Sequence, residues 1–188
     1  DFIERPYSPV RFKELLVSPN EMKQKFIRLI NEEIKNKQAG KPAYILIKIN
    51  HITDPVMVKK LYEASSHGVR IDLLVRGNCS LITGVPGVSD AIRINGIIDR
   101  YLEHSRIFIF ANGGDEKMFI GSADWMPRNL DNRVEVIAPV YDPEIKADLK
   151  RVVEYGLKDT LQGRVVDGTG ENRPWISEDK TAFRSQEE

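Results

Sequence analysis

A chain of 188 residues, 41% hydrophobic and 30% charged, has the balance of one ordinary globular domain rather than of a disordered or fibrous protein. Twenty-eight basic against twenty-eight acidic residues give a net charge of zero, so capture of nucleic acid or anionic lipid by bulk charge is excluded, and any polyanion must be met by placed cations. The single Cys79 excludes a disulfide framework and a multi-cysteine zinc site and suits a reducing compartment, and no apolar run nears the roughly 20 residues of a membrane helix.

In chain order, residues 1–17 read as an opening segment kept irregular in its first half by Pro6 and Pro9. Ser18 and Pro19 predict a helix start, with Ser18 as N-cap and Glu21 three residues on. Met22, Phe26, Leu29, Ile30 and Ile34 form one apolar stripe, and Gly40 and Pro42 stop it. AYILIKIN (43–50) fits a central strand. Asp54 and Pro55 cap a second helix closed by Gly68, and VRIDLLVR (69–76) gives the next strand, completing a βαβ unit with parallel strands. A glycine- and proline-rich loop (77–89) precedes AIRINGII, HSRIFIF and KMFIG, the last two joined by a turn at Asn112, Gly113 and Gly114. RVEVIAPV (133–140) is a further strand. Asp142 caps a closing helix over 143–161, whose predicted sheet-facing residues are Ile145, Leu149, Val152, Val153 and Gly156. After Gly163 the pattern becomes a polar tail, anchored at most by Trp175. The expected fold is α/β, a mostly parallel mixed sheet flanked by helices, with ligands bound beyond the carboxyl ends of strands.

Two places at such ends carry chemistry. Arg76 ends a strand before Gly77. His104 and Arg106 lie two apart, so a strand would turn both to one face, and Gly121 and Ser122 end the partner strand of the hairpin. An imidazole beside a guanidinium, with a hydroxyl opposite, suits a phosphoryl group. Ser122, Asp124, Arg128 and Arg133 are expected behind these, supporting the site. His51 matches no motif and reads as structural, and Cys79 has no feature that would make it a nucleophile. No GxxxxGK[ST] or GxGxxG loop and no metal-ligand spacing occurs.

The H-x-R of 104–106 followed by G-S-x-D-W of 121–125 resembles a degenerate phospholipase D motif, with Arg106 in place of the usual lysine and Ala111 where that motif has an aspartate. More specifically, VRGNCSL (75–81), PGVS (86–89), RYLEHSRIFIF (100–110), NGGDE (112–116) and GSADWMPRNLDNRVEV (121–136) resemble the C-terminal, phospholipase D-like domain of long-form bacterial polyphosphate kinase. The resemblance implies reversible transfer of the ATP terminal phosphoryl group to polyphosphate through a phosphohistidine. It implies that Arg76 contacts nucleotide phosphates and that His104 lines the same site as an acid/base partner, with Arg106 as a further phosphate ligand. The phosphohistidine and the magnesium-binding arginines of the family belong to a preceding domain and have no match here. The chain, which begins at Asp1, is therefore expected to be half of an active site and inactive alone, with Mg²⁺ arriving with ATP and held mainly elsewhere.

The expected organisation is an opening segment (1–17), a C-terminal catalytic domain (18–163) and a polar tail (164–188). Expected partners are ATP or ADP, polyphosphate and the preceding domains, in a cytoplasmic or membrane-associated homo-oligomer without a transmembrane segment or a nucleic-acid partner. Two other readings of the residues stay open: a phospholipase D-like phosphodiesterase or nuclease completed by dimerisation, and a non-catalytic phosphate-binding module.

Overall fold

The computed structural model describes residues 12–176 and 181–187. The opening around Pro6 and Pro9 lies outside the described residues. The elements in chain order are β1 (Leu16–Ser18), α1 (Met22–Gln38), β2 (Tyr44–Ile49), α2 (Pro55–Ser66), β3 (Arg70–Val75), β4 (Ile92–Ile97), β5 (Ile107–Phe110), β6 (Lys117–Gly121), β7 (Glu135–Val140), α3 (Pro143–Lys158) and β8 (Gly163–Val165).

The strands form one eight-stranded sheet in the order β1-β7-β6-β5-β2-β3-β4-β8. The expected βαβ unit is present: β2 and β3 are parallel, and β4 adds to them in parallel. The other five pairings are antiparallel, so the sheet is mixed but not mostly parallel as expected. The reason is the hairpin: β5 inserts beside β2 and turns back as β6, and each later strand continues that alternation. This arrangement brings the carboxyl ends of β2, β3 and β6 to the same edge as the amino ends of β5 and β7.

Central β2 is covered on both faces and is apolar but for the buried Lys48. Ile45, Ile47 and Ile49 join Met22, Phe26 and Ile30 of α1 and Met57 and Leu61 of α2 in the main core. Leu46 faces the other way, toward Leu74, Ile97, Ile109 and Val153 beneath α3. Asp54 caps α2 by accepting from the amides of Val56 and Met57, and Asp142 caps α3 in the same way from Glu144 and Ile145. On α3, Val153 and Gly156 face the sheet as expected, but Ile145 and Val152 are exposed, because the second core is narrow and α3 meets it along one line of residues.

Ser18 does not cap α1. It ends β1, and its hydroxyl is shared between the carbonyls of Asn129 (2.6 Å) and Arg133 (2.5 Å), so the helix starts at Met22 after an uncapped Glu21. The expected domain limits are each overrun by a strand. Leu16 and Val17 pair with β7, and β8 pairs with β4 before the chain returns to bury Trp175, whose indole donates to Leu157 O at 2.8 Å. Among the described residues no helix is long and apolar enough to cross a membrane.

Candidate functional site

The edge where the strand ends gather opens as a cleft of about 470 Å³ lined by Arg76, His104, Arg106, Ser122, Asp124, Arg128 and Arg133, together with Asn50, His51 and Glu135. All seven residues singled out by sequence therefore converge. His104 and Arg106 do so without being in a strand, since β5 starts only at Ile107 and both precede it in irregular chain.

Asp124 is the hub. Beyond β6 the chain runs beside residues 51–54, where Trp125 N donates to His51 O (3.1 Å) and Trp125 O accepts from Thr53 N and Asp54 N. The Trp125 side chain is fully buried against Phe26 and Phe108, with ring centroids at 5.1 and 5.9 Å, so its neighbour Asp124 is held by the core. The Asp124 carboxylate accepts from Asn50 N at 3.0 Å and from Arg106 Nε and Nη2 at 3.2 and 3.1 Å. Burial pushes this carboxyl up, but the Arg106 guanidinium and the Asn50 amide outweigh burial and hold it below the ordinary range.

From Asp124 the network runs both ways. Through Asn50, whose Oδ1 accepts from Arg76 Nε at 2.6 Å, it fixes the guanidinium at the end of β3. The terminal nitrogens of Arg76 have no partner among the described residues. Through Arg106 it reaches His104: Arg106 Nη1 lies 2.9 Å from His104 O and 3.2 Å from His104 Nδ1. A guanidinium can only donate, so Nδ1 is the acceptor and the imidazole proton is on Nε2, turned away from Arg106.

His51, read from sequence as structural, also lines the cleft, and its Nδ1 accepts from Asn78 N at 2.9 Å. Position 77 must be glycine because a Cβ there would overlap the His51 ring. The only available sequence signal was the position of His51 at the end of β2.

Ser122 donates to Glu135, which also accepts from Asn129 Nδ2 at 2.7 Å, so the hydroxyl is occupied within the wall. Arg128 and Arg133 are exposed on the rim, on a single turn (Arg128–Asn132) and just after it. Burial raises the Cys79 thiol pKa, which fits its reading as a non-nucleophile. The described residues contain no group of three or more side chains suited to a metal ion, and the carboxylates facing the cleft, Asp124 and Glu135, are already engaged. Magnesium therefore finds no fitting ligand set among these side chains.

The family profile described as polyphosphate kinase C-terminal domain 2 matches residues 15–186. The chain is 46% identical over 173 residues to the polyphosphate kinase of Escherichia coli K12, covering 92% of the chain and 25% of that protein. Among solved structures, the polyphosphate kinase of Porphyromonas gingivalis superposes with a TM-score of 0.91 at 40% identity, over 98% of the chain and 29% of that one. A phospholipase D family member, Nuc from Salmonella typhimurium, shares the fold with a TM-score of 0.57 at 15% identity, over 82% of the chain and 97% of its own. The chain thus spans about a quarter of the length of the curated relatives it matches.

Proposed function

The chain belongs to the polyphosphate kinase C-terminal domain family, and from that premise we propose that its cleft is one wall of a site that moves the ATP terminal phosphoryl group reversibly to polyphosphate. The carrier histidine belongs, in this reading, to a preceding domain outside the chain. The observation that carries the proposal is the single network joining Arg76 to His104 along one wall of the cleft.

Phosphoryl transfer has a loose transition state with charge spread over three equatorial oxygens, so fixed donors and cations supply most of the catalysis. Arg76 is held at Nε and presents its terminal nitrogens as a fork to the nucleotide phosphates. His104 donates its Nε2 proton to an oxygen of the group in transfer. Arg106, with Asp124 on one side and His104 on the other, acts by orienting that imidazole more than by gripping phosphate itself. Arg128 and Arg133 attract the polyanion from the rim. Magnesium accompanies ATP and is held by phosphates and by residues outside this chain, and no step here passes through it. A cytoplasmic homo-oligomer belongs to the same proposal.

The decisive test is polyphosphate synthesis from ATP by the full-length enzyme. Arg76→Ala and His104→Ala should each lower the rate by about 10² or more. Wild-type rates in both variants would overturn the proposal. A phospholipase-type nucleophile needs a free ring lone pair, and on His104 the available nitrogen carries the proton. The isolated chain should therefore leave a chromogenic phosphodiester intact.

A further inference from the structure

His104 is carried by residues 98–106, which lie between β4 and β5 and belong to neither. The stretch exposes Ile98, Tyr101 and Leu102, so hydrophobic burial does not fix its course. Polar side chains do. The Arg106 and Asp124 pair holds its last residue. In its middle, Glu103 reaches the buried Lys48 Nζ at 3.1 Å.

The third hold comes from the far end of the chain, in the region expected to be a polar tail. Arg184 Nε and Nη2 donate to the two oxygens of Asp99 at 2.9 and 2.7 Å, and that carboxylate is 3% exposed. The Arg184 hydrogen bonds hold the Asp99 pKa below its ordinary value. The Gln186 amide accepts from Tyr101 N at 2.8 Å and donates to Tyr101 O at 2.9 Å, pairing with the backbone as a neighbouring strand would. It also donates to Glu103 Oε1 at 3.0 Å, the same carboxylate that grips Lys48.

The segment has its own footing on the end of α3. Phe183 packs edge-on against Tyr155, with centroids at 5.5 Å, and its carbonyl accepts from Thr160 N at 3.0 Å. Ser185 donates from both N and Oγ to the fully buried Asp159, each at 2.8 Å. Alternate residues are therefore anchored to the end of α3, through Phe183 and Ser185, and to the chain that carries His104, through Arg184 and Gln186.

We propose that residues 181–187 are a strap that sets the position of His104, with Arg184 and Gln186 as positioning residues for phosphoryl transfer. This rests on the kinase reading above. Arg184 and Gln186 bond to Asp99, Tyr101 and Glu103 rather than to His104. They fix the backbone from Asp99 to Glu103, and a donor displaced by an ångström loses much of its effect.

The test uses the full-length enzyme with Arg184→Ala/Gln186→Ala, and separately Gln186→Glu, which sets a carboxylate against Glu103 without removing the strap. Hydrogen exchange, kcat and KM for ATP, and thermal melting are read together. The expected result is faster exchange at residues 99–105 with β2 and β3 unchanged. With it should come a fall in kcat of about tenfold and a KM within about twofold of wild type. The exchanged pair Asp99→Arg/Arg184→Asp should recover much of that loss. Unaltered exchange at 99–105 overturns the strap, and faster exchange with unaltered kcat overturns its positioning role. An inactive wild-type enzyme would instead sink the kinase reading, while the exchange data still decide whether the strap exists. Should the double variant not fold, Gln186→Glu alone yields the same three readouts.

Discussion

Along one wall of the cleft, Arg76 and His104 are tied through Asn50, Asp124 and Arg106 to the buried ends of β2 and β6; along the other, Arg128 and Arg133 stand exposed on and beside a turn held at its base by Ser18. Both walls carry two arginines. The tied ones have already lost their rotamer freedom during folding, whereas ordering an exposed arginine on a ligand costs up to about 2 kcal/mol. Placement therefore distinguishes cations suited to a transition state from cations that only attract.

The comparison is broken most sharply at its hub. Asp124→Asn leaves the guanidinium of Arg106, 12% exposed, without its counter-charge, and should cost about 3 kcal/mol in denaturant unfolding. Polyphosphate synthesis by the full-length enzyme should fall with it, by at least as much as in His104→Ala. Unchanged stability and rate would mean that the network is ornamental. The same pair sets an acid limit. The folded Asp124 pKa lies below its ordinary 3.8, so its contribution is complete above about pH 4 and is lost as pH falls through the folded value. In acid titrations Asp124→Asn should flatten that part of the stability curve.

His51→Ala comes next. It removes a ring that faces the cleft and should slow synthesis about tenfold in a steady-state assay, the lower end of what a hydrogen bond to a charged group is worth. An unchanged rate would return His51 to the structural reading. Smaller effects belong to the rim. Arg128→Ala and Arg133→Ala should raise KM for polyphosphate a few-fold at low ionic strength and converge on wild type in high salt, since exposed charges are screened beyond about 10 Å at 0.1 M. A loss that survives high salt would move them to the tied wall. Ser122→Ala should matter least, costing about 1 kcal/mol in unfolding and leaving the rate intact, because the hydroxyl donates into the wall toward Glu135.

Much of the framework was legible because it depends on local chemistry. Asp54 with Pro55 announced α2 and Asp142 announced α3, and the largely apolar run of 44–49, broken only by Lys48, announced a central strand. The strands of three residues at the sheet edges were not legible, since Leu16–Ser18 and Gly163–Val165 are too short to show a period and exist only through distant partners. Ser18 misled for a related reason: the residue type that caps helices also bonds carbonyls across the fold, and Asn129 and Arg133 are 111 and 115 positions away. In the site, Arg76 and His104 could be found from motif and strand end. Asn50 and Asp124 could not be identified as their link, because a hydrogen-bonded relay leaves no spacing in the sequence.

The relay also has a consequence for how the chain matures. Arg76 and Asn50 are 26 positions apart, and Asn50 and Asp124 are 74 apart. Each link closes a long loop before it gains any contact, so the relay exists only in molecules whose distant strands have docked. A half-formed sheet offers no such grasp, and a polyanion that binds the finished cleft draws the population toward the native state by mass action. The ligand thereby becomes a selector of completed molecules, passing over those whose β5 and β6 have not yet docked.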